Sequence, residues 1–266
     1  MNILPAALVS FTLLFSGTVA TAASTACPEQ YYDRQAPDLV NQKLTAKTQE
    51  ICYSEYGVLH SGVTRTPLYS AEHLTRDRLA QAKSMIRNSK FFPDPHLPAS
   101  DRAELRDYSR SGFDRGHMSP SADMSNEQSQ AECFSLANII PQNPDNNRGV
   151  FEGMESAVRM LAKNRGELYV VTGPIFAGEN LQRIGGRVMV PSSLYKAVYD
   201  PQRREAGAYV VANAAGAIPE MVSIQELQRR SGIDVFPGVP ATIKGKAMSL
   251  PQPKSYRERK KKKGSN

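Results

Sequence analysis

The sequence of 266 residues has no tryptophan, only three cysteines and only four histidines, and beyond residue 20 it holds no apolar run long enough to cross a bilayer. Each scarcity excludes something. His60, His73, His96 and His117 stand at spacings that fit no common zinc pattern, and the cysteines do not cluster beside them. Internal repeats are missing too, so at this length one large domain with one core is the default. No strand-helix alternation recurs along the chain, which disfavours a doubly wound sheet.

Residues Ile3 to Ala20 form the one long apolar stretch, and Ala20-Thr21-Ala22 supplies the small residues that signal peptidase accepts. Residues 1–22 therefore read as a signal peptide, although the terminal amine is the only positive charge before the apolar run. Cys27 is not a lipidation site, because Ser24-Thr25-Ala26 lacks the large aliphatic residue expected ahead of it. A periplasmic or secreted protein with no stable membrane association after cleavage is expected. In an oxidising compartment three cysteines permit one disulfide and leave one thiol. Cys27 with Cys52 would close a modest loop and fasten the N-terminus, although sequence does not fix connectivity. Cys133 precedes Phe134 and Leu136 in what reads as a strand, so a buried, inert thiol is expected there.

The formal charge is +7, but Lys254 to Lys263 holds seven basic residues and one acid, a net +6 that leaves about +1 for the rest. Residues 251–266 therefore read as a basic disordered tail able to attract nucleic acid weakly and without base specificity. Cys27 to about Glu50 is polar enough for a loose lead-in, and a body is expected over residues 51–250. Pro67 to Leu74 alternates imperfectly, as a strand does. Phe91 to Ser100, with Pro93, Pro95 and Pro98, reads as an extended loop. Leu168 to Thr172 reads as a buried strand stopped by Gly173-Pro174. Leu194–Tyr199 and Ala206–Asn213 read as a hairpin around Asp200-Pro201-Gln202-Arg203. Ser223 and Glu226 form a capping-box pattern opening a helix that should end at Gly232. Strands outnumber helices, and an α+β fold follows.

The stretch from Asp114 to Asn147 carries the chemistry: Asp114-Arg115-Gly116-His117, then Asn138-Ile139-Ile140-Pro141-Gln142, then Asp145-Asn146-Asn147. Hydrolysing a phosphodiester needs an activated water, neutralised phosphate oxygens and a stabilised leaving group. His117 can take a proton near neutral pH. Arg115, two residues away on an extended strand, shares its face, or else pairs with Asp114 at the surface. Asn147 opens a helix whose apolar positions Val150, Phe151, Met154, Val158 and Leu161 recur at helical spacing. It offers either a neutral oxygen to a hard, largely hydrated ion or an ordinary helix cap. Glu155 lies eight residues on, about 80° around the helix and close enough to share a side with Asn147, but two turns away along the axis, so it reaches an ion only through a water or a long side chain, or is a solvated acid.

The Asp-Arg-Gly-His, Asn-x-x-Pro-Gln and Asn-x7-Glu combination resembles the DNA/RNA non-specific endonucleases, the family that includes mitochondrial endonuclease G. Thr172-Gly173-Pro174-Ile175-Phe176 and Ile233-Asp234-Val235-Phe236-Pro237 extend the likeness over roughly residues 51–240. It implies a central antiparallel sheet flanked by helices, with a ββα-metal active-site unit. It further implies His117 as general base, Asn147 as the direct ligand of Mg²⁺ (with Mn²⁺ as substitute), Glu155 as the acid holding water on the metal, and Arg115 as the phosphate cation. Asn138 matches a polar active-site position, and Arg65 is a second candidate phosphate contact. The implied activity is endonucleolytic hydrolysis of DNA and RNA without strong sequence preference, leaving 5′-phosphate and 3′-hydroxyl ends. Phe151 stands where relatives often carry tryptophan. The rival reading, a non-catalytic basic nucleic-acid binder, leaves His117 and Asn147 unexplained.

Overall fold

The structure is a computed structural model describing residues 25–87 and 90–255. The expected signal peptide (1–22) and residues 256–266 of the expected tail lie outside the described residues. No helix among them is long and apolar enough to cross a membrane.

In chain order the strands are β1 (Asp38–Leu39), β2 (Thr48–Cys52), β3 (Gly57–Ser61), β4 (Thr66–Thr75), β5 (Asp114–His117), β6 (Ile139–Gln142), β7 (Glu167–Ile175), β8 (Arg183–Ile184), β9 (Val188–Met189), β10 (Ser193–Asp200), β11 (Glu205–Ala212), β12 (Glu220–Val222) and β13 (Ile233–Asp234). The α-helices are α1 (Arg76–Ala82), α2 (Leu105–Tyr108), α3 (Glu127–Glu132), α4 (Pro144–Asn146), α5 (Glu152–Arg165), α6 (Ile224–Ser231) and α7 (Ala241–Lys244). Seven strands form one antiparallel sheet in the order β12-β11-β10-β7-β4-β3-β2, while β5 and β6 pair apart from it. This is the expected α+β architecture.

Both faces of the sheet are covered, which is why its middle strands read as nearly continuous apolar runs. Along β10, Leu194 and Val198 face α5 with Met154 and Val158, whereas Tyr195, Ala197 and Tyr199 face the opposite core with Ile224 and Leu227 of α6. The same double burial accounts for the imperfect alternation of β4. The hairpin β10–β11 pairs in register from Ser193↔Ala212 to Asp200↔Glu205, as expected.

Four local expectations need correcting. Strand β7 runs through Gly173-Pro174 rather than stopping there. Its ladder with β4 ends at Ser70↔Thr172, and beyond that β10 alone pairs with it, a setting in which proline is tolerated. Gly173 is required, since a Cβ there would lie 2.5 Å from both the Leu68 carbonyl and the Tyr195 hydroxyl. Residues 27–50 are not a loose lead-in, for Cys27 and Tyr31 are buried in the main core and β1 pairs with β13. Cys133 caps α3 rather than sitting in a strand, but it is buried, and burial pushes its thiol pKa up. The Ser223–Glu226 box is half formed. Ser223 Oγ accepts from the Glu226 amide at 3.1 Å, while the Glu226 carboxylate accepts from Arg229 and Arg230. The helix does end at Gly232, at φ 74°.

Cys27 and Cys52 are disulfide-bonded, with their Cα atoms 5.4 Å apart, and tie the first described turn to the sheet edge at β2. A cross-link across 25 residues should stabilise the fold by about 3 kcal/mol, mainly by restricting the unfolded chain. Urea unfolding with and without dithiothreitol measures this. A difference below about 0.5 kcal/mol would mean that the bridge closes on a segment the core already holds.

Candidate active site

The site is assembled by a short antiparallel pair and the helix that follows it. Gly116 of β5 sits opposite Ile140 of β6, and Asp114 opposite Gln142. The glycine is obligatory, because a Cβ at 116 would lie 1.9 Å from Gln142 Oε1. Gln142 Nε2 donates to Asn146 Oδ1 at 2.8 Å, and Asn146 Nδ2 to the Ala212 carbonyl at 2.8 Å. Asn143 Oδ1 accepts from the amides of Asp145 and Asn146, capping the helix start. Two sequence motifs are thus joined through one backbone approach, and the residue after Asn146 is fixed against the main sheet.

That residue is Asn147. From Pro144 the chain is helical as far as Arg165, with a π-helical turn over Asn147–Phe151 between α4 and α5. Asn147 Nδ2 donates to Asp114 Oδ2 at 2.9 Å, and Arg148 grips the same carboxylate at 2.8 and 2.6 Å. Asp114 therefore pairs with Arg148 and not with Arg115. The donor end of the Asn147 amide is held, and its oxygen is the end left for the cleft that Asn147 lines.

This cleft, of about 380 Å³, brings together Arg115, His117, Asn147 and Glu155, along with Arg87, Arg148 and Arg159. His117 sits in an aromatic slot, 5.4 Å from the Phe91 ring and 4.9 Å from Phe134. The Arg115 guanidinium lies 5.0 Å above Phe91. His117 Nε2 and Arg115 Nε are both buried, and neither bonds to another group of the protein. Burial, reinforced by the Arg87 cation, pulls the His117 pKa from near 6.5 down to about 3. The imidazole is therefore neutral, as a proton acceptor must be.

Glu155 is pushed the other way. Burial raises its pKa to about 7, against the pull of Arg159 and Lys196. The sheet below contributes a buried polar floor: Lys196 Nζ donates to Thr172 Oγ1 at 2.7 Å, and burial beside Asp123 raises the carboxyl pKa of Glu72. Arg159 is fixed by Asp123, 2.9 Å away.

Two expected site residues are not brought into the cleft. Asn138 is fully buried, its Oδ1 accepting from the Ser119 amide at 3.0 Å and its Nδ2 donating to the Ser119 and Cys133 carbonyls. It braces the segment after His117. Arg65, at φ 57°, donates twice to the Ser100 carbonyl, at 3.0 and 2.7 Å, and once to that of Arg187. It holds loops together away from the cleft. Three cations went unnoticed in the sequence. Arg148 adjoins Asn147, and Arg159 stands four residues after Glu155 on the same helix, so both were within reach of the helix signal, whereas Arg87 lies in an aperiodic loop that carries none.

Among the described residues no three His, Cys, Asp or Glu side chains converge as a metal cage would. The donor set fits a different kind of ion. A clamped amide oxygen and one nearby carboxylate suit a hard divalent cation that keeps most of its water.

A family model described as DNA/RNA non-specific endonuclease matches residues 36–242. The mitochondrial nuclease EXOG of Danio rerio is 36% identical over 208 residues, covering 70% of this chain; the chain spans 60% of that relative's length. A nuclease of a Nostoc species is 32% identical over 225 residues, 77% of this chain and 80% of its own. Nuclease C1 of Cunninghamella echinulata is 31% identical, over 68% and 80% respectively. In fold, the chain is similar to a structure of an EndoG/EndoGI complex, with a TM-score of 0.68 and 24% identity over 75% of this chain and 92% of that one. The chain belongs to the DNA/RNA non-specific endonuclease family.

Proposed function

We propose that the protein is an exported, Mg²⁺-dependent endonuclease that hydrolyses DNA and RNA without strong sequence preference, leaving 5′-phosphate and 3′-hydroxyl ends. The observation that carries this reading is the convergence of a neutral, unpartnered His117, Arg115 and the Asp114-clamped Asn147 on one cleft. Family membership adds the nuclease activity, and the Cys27–Cys52 bridge and the signal-like residues 1–22 support export to an oxidising compartment.

His117 takes a proton from water as its oxygen adds to phosphorus, and the P–O3′ bond breaks, the 3′ oxygen leaving as an alkoxide that takes a proton from solvent. Arg115 and Arg87 neutralise the non-bridging oxygens, and their rigid forks suit phosphate. Asn147 and Glu155 would hold the divalent ion, which when bound supplies positive charge to the phosphate and the leaving oxygen. All these cations address the backbone rather than base edges, so little sequence selectivity follows.

Supercoiled plasmid incubated with Mg²⁺ should be degraded, and EDTA should stop it; retardation without cutting would support a binder instead. Mass spectrometry of a digested oligonucleotide should give 5′-phosphates, and 3′-phosphate or cyclic ends would require another mechanism. His117→Ala should lower turnover by about 10²–10⁴-fold while the protein stays folded. Asn147→Ala should raise the Mg²⁺ requirement as well as slow cleavage, and an unchanged metal dependence would remove Asn147 from the ion.

The neutrality of His117 has its own test. Its folded pKa is depressed to about 3, so below about pH 6.5 the unfolded chain takes up a proton that the folded state refuses. This contribution to stability is complete above the unfolded pKa and lost as pH falls. Relative to a His117→Gln variant, the wild type should lose about 2 kcal/mol by pH 5, measured by urea unfolding in EDTA. Parallel stability curves for the two proteins would mean that the imidazole protonates freely in the fold.

A further inference from the structure

A second groove, also of about 380 Å³, opens beside the catalytic cleft and shares Arg87, Ser121, Ala122 and Arg159 with it. The two depressions are one trough. One wall of the extension is α1 with the turn after it, contributing Leu79, Lys83 and Met85; the other is the C-terminal half of α5, contributing Arg159 and Lys163. Arg76 fixes that end of α5 by donating to the carbonyls of Lys163 and Asn164 at 2.8 and 3.4 Å.

The chemistry of the extension differs from that of the catalytic cleft. Glu152 and Glu155 line the cleft, but among the described residues no carboxylate lines the extension, which carries four cations. Arg159 is paired with Asp123, whereas Lys83 and Lys163 form no ion pair among the described residues. Lys83 is exposed and Lys163 half-buried. Between the cations lies the partly exposed Met85, with Leu79 and Ala82 buried beneath the groove floor. Along the helix, Arg148, Glu152, Glu155, Arg159 and Lys163 recur every three or four residues and so share one face.

We propose that this extension is a substrate subsite, holding the sugar-phosphate backbone of the bound strand several nucleotides from the bond being cut. The proposal rests on the nuclease reading. A strand entering the catalytic cleft meets the groove next, without crossing a barrier of negative charge. Its phosphates face Lys83 and Lys163 while a sugar or base covers Met85. Lys163 lies sixteen residues from Asn147, about 24 Å at 1.5 Å per residue. At the 3.4 Å axial rise of a strand in a duplex that distance holds at most about seven phosphates, and an extended single strand spans it with fewer. A trinucleotide is too short to reach from one end to the other.

The test compares wild type with a Lys83→Gln/Lys163→Gln variant on a single-stranded 15-mer and on a trinucleotide. Both side chains lie outside the catalytic cleft, and glutamine keeps the helix propensity of α5. For the 15-mer, KM should rise by about 5–20-fold with kcat unchanged, and the slope of log KM against log salt should fall by about 1.4, for two phosphate contacts on a single strand. Trinucleotide kinetics should not change. An unchanged salt slope, or an equal loss on both substrates, would overturn the subsite. Fluorescence anisotropy with a labelled 15-mer in EDTA separates this from the nuclease reading. If the wild type cuts nothing yet binds the 15-mer more tightly than the variant does, the groove stands and the enzyme reading falls. Equal binding by the two proteins rejects the groove.

Discussion

One carboxylate sets the geometry of the site. Asp114, at the start of β5, accepts hydrogen bonds from Asn147 and Arg148, 33 and 34 residues later in the chain. An amide side chain presents a donor and an acceptor at similar distances, and free rotation would offer either to the cleft. By engaging the donor end, Asp114 resolves that ambiguity in favour of oxygen. The β5–β6 register performs a related task. Gly116 admits Gln142 against the β5 backbone, Gln142 holds Asn146, and Asn146 is anchored to β11, so His117 and Asn147 are located relative to the same sheet. Rigid placement through locked neighbours is what a reactive constellation requires.

Burial then divides the ionisable groups into two kinds. For a base, loss of solvent disfavours the cation, and for an acid it disfavours the anion. Around His117 the aromatic rings of Phe91 and Phe134 and the nearby Arg87 act together, and the imidazole stays neutral. Around Glu155 burial is opposed by Arg159 and Lys196, which keeps the carboxyl near the balance point instead of fully protonated. Lys196 has a structural cost, since an ammonium buried in a sheet needs partners. Thr172 accepts a hydrogen bond from it, and the ammonium in turn lowers the pKa of Glu72 and Glu155 against the burial that raises both.

The helix that lines the cleft was legible because it depends on a local rule. Asn147 to Leu161 has helical periodicity, and the short motifs, Asp114 to His117 among them, hold the residues that meet in the cleft. The hairpin, the Ser223 cap and the Gly232 stop were legible for the same reason. What failed depended on tertiary context. Pro174 could continue a strand only because β7 had already parted from β4, and Cys27 to Glu50 looked loose only until its few apolar residues found a core. Asn138 and Arg65 were the right residue types near the right motifs. Whether a polar side chain faces substrate or braces a carbonyl, however, is decided by backbone distant in sequence.

The helix brings Asn147 and Glu155 closer in azimuth than regular α geometry would. On a straight α-helix Glu155 would stand about 80° around from Asn147. The turn from Asn147 to Phe151 is π-helical. A wider turn rotates less per residue, so eight residues return closer to two full revolutions and the offset shrinks. The extra backbone in that turn therefore swings Glu155 toward the azimuth of Asn147, and both line the same cleft. A π turn is normally disfavoured against the α-helix, so its persistence needs external support. Here that support is present on both sides: Asp114 holds Asn147 and Arg148 from the cleft, while Phe151 is fully buried against the sheet.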